Sequence, residues 1–193
     1  DVNVGLPEID EISMLYNTVS ELQAVTDLPL QIDTSNPLAM EKALRTYNGK
    51  AMINSVNGKE ESMKAVFPLV KKYGGLVVAL TLDENGIPET AEGRVKIAEK
   101  IIATAESYGI KKKDIIFDTL AMAISADKNA AEVTLSSLKT IKEKLGCHTS
   151  LGVSNISFGL PERNAINSVF FAMALENGLS AAIMNPHSKD MMK

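Results

Sequence analysis

The chain has 193 residues, of which 45% are hydrophobic and 23% are charged, and its net charge is −4 with a pI of about 5.3. This composition predicts a folded chain with one well-buried core rather than a disordered one. The acidic balance argues against a nucleic-acid partner and against binding to an anionic membrane surface. The single cysteine, Cys147, cannot form an intrachain disulfide, and no apolar run is long enough to cross a membrane. We expect a cytoplasmic protein.

Short apolar, β-rich runs alternate with longer amphipathic segments along the chain. The predicted strands, in chain order, lie at 2–4, 28–35, 50–56, 76–82, 114–120, 148–156 and 180–185. The predicted helices lie between them at 12–25, 37–47, 59–73, 91–108, 129–145 and 163–177. Regular alternation with short connections predicts a parallel sheet with right-handed crossovers.

Two architectures share this alternation, a doubly wound open sheet and a (β/α)8 TIM barrel. The chain has no GxGxxG motif after an early strand, which argues against the open sheet. A barrel needs eight strands, and "DVNVG" (1–5) resembles the end of a strand. We therefore expect residues 1–193 to be one barrel domain of a longer chain, without its first strand, first helix and last helix. The open sheet edges of such a barrel make a homodimer one expected state.

Aspartate or asparagine comes at or near the carboxyl end of each predicted strand. In a barrel these strand ends converge on one face, where such enzymes place their active sites. Turn and helix-cap chemistry is the alternative explanation for these residues. We favour a site for the four that precede the next helix by several residues, and turn roles for Asp83 and Asn185. The four are Asp33, Asn54, Asp118 and Asn155, and the remaining two strand-end residues are Asp1 and Asn3.

A ring of carboxylates and amides without lysine or arginine is rich in hydrogen-bond acceptors. It suits a neutral heterocycle with an amidine-like edge, such as a pterin. It suits a metal ion less well, although a metal-dependent aldolase-type barrel stays open as an alternative. His148, His187 and Cys147 do not have the spacing of a zinc site. Cys147 precedes its strand, so we expect no nucleophilic role for it.

Five stretches of the chain carry a resemblance to a known family. They resemble the pterin-binding family and, more closely, the methyltetrahydrofolate-binding domain of cobalamin-dependent methionine synthases and of methyltetrahydrofolate:corrinoid methyltransferases. The resemblance covers essentially the whole chain and implies a barrel with the folate in its mouth. The stretches are "DVNVG" (1–5), "QIDTSN" (31–36), "AMINSVNG" (51–58), "IIFDTL" (115–120) and "LGVSNISFGLPERNAIN" (151–167).

The resemblance implies a role for each candidate residue. Asp33, Asn54 and Asp118 would hold the pterin ring, and Asn155 would reach N5, the atom that carries the methyl group. Asn3 and Arg163 would lie near the ligand; the resemblance indicates no metal ligand. The implied reaction is methyl transfer from N5 to cob(I)alamin, with Asn155 and Asp118 as the catalytic residues. The chain has no Asp-x-His-x-x-Gly motif, so the cobalamin would be carried on another domain or subunit.

Two other functions remain open within this resemblance. In dihydropteroate synthase, the strand that corresponds to "GVSNIS" reads Gly-x-Ser-Arg-Lys, and the basic pair serves a pyrophosphate substrate. Asn155 and Ile156 occupy those positions here, which argues against a pyrophosphate leaving group. Thr119 stands where many relatives have proline. A folate-binding barrel without catalytic activity is the second alternative.

Overall fold

The computed structural model describes residues 1–192, in which strands and helices alternate. The strands are β1 (Val2–Asn3), β2 (Gln31–Asp33), β3 (Met52–Asn57), β4 (Leu76–Leu80), β5 (Ile115–Asp118), β6 (His148–Gly152) and β7 (Ala181–Ile183). The α-helices between them are α1 (Glu11–Val25), α2 (Pro37–Thr46), α3 (Glu60–Tyr73), α4 (Ala91–Ser107), α5 (Ala130–Thr140) and α6 (Arg163–Glu176). Within residues 1–192, we find no helix with the length and apolar character needed to span a membrane.

The strand order in the sheet is the order of the chain, from β1 to β7. The strand pairs β1–β2, β2–β3, β5–β6 and β6–β7 are parallel. A doubly wound sheet reverses its strand order at a switch point, where it binds its ligand. The unbroken order therefore excludes the open-sheet alternative and agrees with the strand order of a (β/α)8 barrel.

The chain divides into two compact units, and the first comprises residues 1–79 and 101–115. Its core includes Ile32, Ile53 and Phe67, all fully buried. Helix α2 begins as the sequence predicts, because the Asn36 side chain accepts a hydrogen bond from the Leu38 N–H at 3.0 Å. The polar end of β2 at Asp33 is thus separated from the helix by the short segment 34–36.

The second unit comprises residues 80–100 and the chain from residue 116 onward. Its core is an apolar cluster in which α5 and α6 pack against β6 and the segment that follows it. Helix α5 continues into a π-helical turn, Ile141–Leu145, and ends at Gly146 with a φ of 63°. The fully buried members of the cluster are Leu138, Leu151, Val153 and Ala174.

The largest departure from the predicted elements lies after β6. We predicted a strand through residue 156, but β6 ends at Gly152, and Val153–Ser157 is a 3-10 turn. Val153 and Ile156 are both buried, and a spacing of three puts both side chains on one side of such a turn. The prediction that Asn155 ends a strand is therefore wrong, because Asn155 lies in the turn.

The other differences concern strand lengths. Strand β2 is shorter than the predicted 28–35, and β7 is shorter than 180–185, so Asn185 lies beyond its end. Asn54 lies inside β3 rather than at its end. Asp33 and Asp118 are the last residues of β2 and β5 and stand where the sequence predicts them.

Candidate functional site

Three of the predicted site residues lie side by side in the first unit. In the parallel register Asn3 pairs with Asp33, and Asp33 pairs with Asn54. Side chains alternate between the two faces of a strand, so register partners point to the same face of the sheet. The three side chains form a polar row across β1, β2 and β3.

The amide of Asn3 orients the carboxylate of Asp33. The Asn3 Oδ1 atom accepts a hydrogen bond from the Gly5 N–H at 3.0 Å, which leaves its Nδ2 to donate to Asp33 Oδ2, also at 3.0 Å. Among the described residues, Asp33 Oδ1 has no hydrogen-bond partner. The Asn54 Nδ2 atom lies 3.5 Å from Asp1 Oδ1, at the limit of a hydrogen bond. The row therefore offers one carboxylate oxygen and one weakly bound amide to a ligand.

Asp118 lies in the second unit and is buried. Its Oδ1 atom accepts a hydrogen bond from the Leu120 N–H at 2.7 Å, and the Gly152 N–H lies near enough to lower the pKa of the carboxyl. Burial raises the pKa of Asp118 to about 6, although the two N–H groups and the charge of Arg94 act in the opposite direction. The group is mainly a carboxylate at neutral pH and becomes a neutral acid just below it.

The segment after Asp118 has an unusual backbone. Leu120 has a φ of 62°, in the left-handed region, which costs a non-glycine residue roughly 1–2 kcal/mol. Its carbonyl oxygen accepts hydrogen bonds from Arg94 Nη1 at 2.9 Å and from Thr134 Oγ1 at 3.3 Å. Such a conformation persists where the surrounding contacts enforce it, and here they enforce it beside the buried carboxylate.

Asn155 is the predicted site residue that lies in the turn after β6. The side chain is exposed, and it makes no hydrogen bond to any residue that the structure describes. Its Nδ2 atom lies 3.0 Å from where a Cβ atom of residue 152 would stand, so Gly152 leaves room for it. The Gly152 N–H also lowers the pKa of Asp118, so Gly152 lies next to both Asp118 and Asn155.

Arg163 binds the turn that carries Asn155. Its Nε donates to Ser157 Oγ at 3.0 Å, and its Nη2 donates to the Ser154 carbonyl at 2.9 Å. The guanidinium also lies over the Phe158 ring, 5.3 Å from its centroid. In this structure Arg163 fixes the position of the turn and so supports Asn155.

The remaining polar candidates lie in turns. Asp83 closes a tight turn with Gly86, and Asn185 accepts a hydrogen bond from the His187 N–H at 3.0 Å, which confirms both turn predictions. Cys147 is buried. Over residues 1–192, no group of three or more histidine, cysteine, aspartate or glutamate side chains is arranged to hold a metal ion.

Sequence reasoning missed Arg94. It lies in α4 and is only 3% exposed, and no sequence motif marks it. A signal was present, because Arg94, Ala98 and Ile101 follow the helical spacing of a buried face, and the last two are fully buried. An arginine within an apolar stripe of a helix indicates a buried guanidinium with specific partners.

Strands in chain order that alternate with helices, with aspartate or asparagine at the carboxyl ends of several strands, are typical of an α/β barrel. The family model described as pterin binding enzyme matches residues 4–185. The chain belongs to this family.

Curated relatives agree with the predicted resemblance. The chain is 32% identical to methionine synthase of Mycobacterium tuberculosis over 91% of its own length and 16% of that protein. It is 31% identical to the methylcorrinoid:tetrahydrofolate methyltransferase of Eubacterium limosum over 100% of its length and 72% of that protein. The chain thus spans about one sixth of the methionine synthase that it matches. One relative is named a methionine synthase and the other a methyltransferase, which confirms the predicted kinship.

Solved structures of the same fold include dihydropteroate synthases. That of Clostridium difficile, solved in the presence of pteroic acid, has a TM-score of 0.79 at 21% identity and covers 100% of this chain and 76% of that one. That of Xanthomonas albilineans, in complex with 7,8-dihydropteroate, has a TM-score of 0.75 at 22% identity, over 94% of this chain and 70% of that one. At this identity the likeness shows the fold alone, and it confirms the predicted pterin-binding type of barrel.

Proposed function

We propose that this chain binds methyltetrahydrofolate and presents its N5-methyl group to a corrinoid carried on another domain or subunit. The observation that carries the proposal is the Asn155 amide, which has no partner among the described residues and lies against Gly152, beside the buried Asp118. An amide that can donate or accept, next to a carboxylate, fits a ring that has both nitrogen acceptors and N–H donors. The names of the curated relatives support this choice of ligand.

In the proposed complex, the Asp118 carboxylate accepts hydrogen bonds from N–H groups of the pterin ring. Hydrogen bonds to a charged acceptor are stronger than neutral ones, and burial strengthens them further. Asp33 and Asn54 are proposed to contribute to pterin binding as well, with Asn3 orienting Asp33. Residues 1–193 as a single pterin-binding domain remain a prediction.

The proposed role of Asn155 is to form a hydrogen bond to N5 that makes this nitrogen a better leaving group. A bound corrinoid would supply the electron pair for the new bond to the methyl carbon. The electron pair of the N5–methyl bond would stay on N5, which would take up a proton from the solvent. A hydrogen bond from Asn155 to N5 stabilises the charge change in the transition state. The E. limosum relative is named for methyl transfer in the opposite direction, which passes through the same transition state.

Two observations favour this reaction over dihydropteroate synthesis. Ile156, at one position of the basic pair of that family, is 1% exposed and packs in the core. Arg163, the nearby cation, already donates to the turn at Ser157 and Ser154. A pyrophosphate leaving group needs free cations, which these residues do not provide.

Cellular location and assembly belong to the same proposal. A single buried cysteine fits a reducing compartment, so we propose the cytoplasm. The exposed side of α6, with Val169 and Met173, offers an apolar surface of the kind that homodimers bury. Sedimentation of the purified chain tests the dimer.

Titration calorimetry with methyltetrahydrofolate, and separately with dihydropterin pyrophosphate, tests the proposal. We expect heat of binding from the folate and a much weaker signal from the pyrophosphate. Tighter binding of the pyrophosphate would instead support a synthase. If a folded sample binds neither ligand, the proposed function is wrong for this chain.

A substitution at Gly152 tests the Asn155 geometry. A Cβ atom there would meet Asn155 Nδ2 at 3.0 Å, so Gly152→Ala must displace the amide. The displaced group is the end of an exposed side chain, so we expect the free energy of unfolding to change by less than about 1 kcal/mol. Methyl transfer should slow by about 10-fold because the amide is misplaced. In an Asn155→Ala background, Gly152→Ala should have no further effect on the rate; a further loss would contradict this explanation.

A further inference from the structure

Arg94 joins two segments of the second unit, one that follows β4 and one that follows β5. Its guanidinium Nη1 donates to the carbonyl oxygens of Thr119 and Leu120 and to Thr134 Oγ1. Its Nε donates to the carbonyl of Pro88, in the loop before α4, at 3.0 Å. One side chain therefore binds the segment after β4 and the segment after β5.

The contacts of Arg94 are unusual for a buried cation. Within residues 1–192, no carboxylate lies within 4.0 Å of its guanidinium, and its partners are three backbone carbonyls and one hydroxyl. Burial lowers the pKa of Arg94, but a guanidinium remains charged. A buried charge without an ion-pair partner is a poor source of stability. The position of the loops is therefore what this arginine contributes.

Leu120 connects the guanidinium to the carboxylate of Asp118. The Leu120 N–H donates to Asp118 Oδ1 at 2.7 Å, and the Leu120 carbonyl accepts from Arg94 at 2.9 Å. Both polar groups of this one residue, with its φ of 62°, are thus engaged. Without the guanidinium, Thr134 Oγ1 is the remaining donor to that carbonyl.

The loop before α4 is packed closely on the same helix. A Cβ atom at residue 93 would come within 2.7 Å of the Pro88 side chain, so glycine is needed there. The Gly93 N–H donates to Thr90 Oγ1 at 3.1 Å, and Arg94 binds the Pro88 carbonyl. Arg94 thus lies where this loop and the Asp118 segment are both held to α4.

We propose that Arg94 is a positioning residue, which sets the orientation of the Asp118 carboxylate through Leu120 and fixes the loop at 84–90 beside it. The expected effect of Arg94 on the affinity for methyltetrahydrofolate rests on the proposed function. Its structural part, the control of Asp118 by Arg94, does not need the folate. The charge of Arg94 lowers the pKa of Asp118, and the charges of Asp118 and Asp127 raise the pKa of Arg94.

Two variants of Arg94 and one control test the inference. Arg94→Lys keeps the charge but cannot reach several carbonyls with a planar fork, and Arg94→Met removes the charge as well. Arg45→Met is the matched control, because Arg45 is an exposed arginine whose Nη2 lies 3.6 Å from Glu41 Oε1. Circular dichroism with thermal melting confirms that each variant is folded.

The first measurement is the pH titration of the Asp118 carboxyl carbon by NMR in the free chain. Removal of the Arg94 charge should raise the pKa of Asp118, so the midpoint should move upward in Arg94→Met and stay in place in Arg45→Met. In Arg94→Lys the retained charge should limit the change in midpoint, while the amide resonance of Leu120 should shift. Unchanged Asp118 midpoints and Leu120 resonances in both Arg94 variants would overturn the inference.

The second measurement is the affinity for methyltetrahydrofolate. We expect a loss of about 10-fold in Arg94→Lys, a larger loss in Arg94→Met and no change in Arg45→Met. If the unaltered chain does not bind the folate, the proposed function is wrong, and the NMR titration still decides the role of Arg94. If it binds, and both Arg94 variants bind equally well, the positioning role is wrong.

Discussion

Replacement of Asn155 with alanine is expected to slow methyl transfer to a corrinoid acceptor by about 100-fold, the effect of removing one preorganised transition-state hydrogen bond. The Asn155 side chain is exposed and has no hydrogen-bond partner among the described residues, so its loss should leave the fold intact. The affinity for methyltetrahydrofolate should fall much less than the rate, because the hydrogen bond to N5 strengthens as the methyl group leaves. Single-turnover kinetics and a binding titration on the same sample separate the two effects.

Asn129→Ala is the matched control for this prediction. Asn129 is also exposed and comes just before a helix, and its side chain makes no cap hydrogen bond. Both variants should melt at the temperature of the unaltered chain, and only Asn155→Ala should be slow. Equal losses of rate and affinity in Asn155→Ala would reduce Asn155 to a binding residue, and an unchanged rate would remove it from the mechanism.

Replacement of Asp118 with asparagine is expected to weaken folate binding by roughly 10- to 100-fold at neutral pH, since charged hydrogen bonds contribute about 1.5–3 kcal/mol. The pKa of Asp118 is about 6 in the free chain, and the proposed complex requires the carboxylate form. The affinity of the unaltered chain should therefore fall as the pH drops through about 6, whereas Asp118→Asn should lose this dependence. Calorimetry from about pH 5 to about pH 8 measures both effects.

The same substitution should have the opposite effect on stability. The folded chain raises the pKa of Asp118 from 3.8 to about 6, so the folded state binds a proton that the unfolded state has released. The stabilising contribution is complete below 3.8 and is lost as the pH rises through about 6, which corresponds to roughly 3 kcal/mol. The asparagine of Asp118→Asn is neutral, so the variant does not bury a charge above pH 6. Its free energy of unfolding should then exceed that of the unaltered chain, by an amount reduced by the weaker N–H contact to the amide.

Asp27→Asn is the control, because Asp27 is exposed. It should leave the folate affinity unchanged. Denaturant unfolding at several pH values gives the comparison. A variant Asp118→Asn that is less stable than the unaltered chain at high pH would show that the carboxylate is held mainly by its hydrogen bonds and not opposed by burial.

The sequence predicts the places of Asp33 and Asp118 at the ends of their strands, because each follows a short apolar run. It predicts Asn155 as a candidate but not its surroundings. Val153 and Ile156 continue the apolar run of β6, and only the packed structure shows that their spacing belongs to a turn. The need for glycine at residue 152 is equally invisible, since it depends on where the Asn155 side chain lies.

The role of Arg94 depends on contacts between residues far apart in the chain. Its acceptors at Thr119 and Leu120 lie 25 and 26 residues away. Neither local propensity nor a motif links these positions. The apolar helical spacing around Arg94 predicts that it is buried, but only the fold shows which carbonyls it binds and that they belong to the segment of Asp118.

The most direct test of the central claim is methyl transfer from methyltetrahydrofolate to free cob(I)alamin, followed by absorption spectroscopy in a single turnover with the purified chain. The proposed function predicts that cob(I)alamin is consumed and methylcobalamin appears at a rate that depends on the chain, and that Asn155→Ala slows it by about 100-fold. A folded chain that binds the folate but leaves cob(I)alamin unmethylated would contradict the claim that it presents the methyl group for transfer.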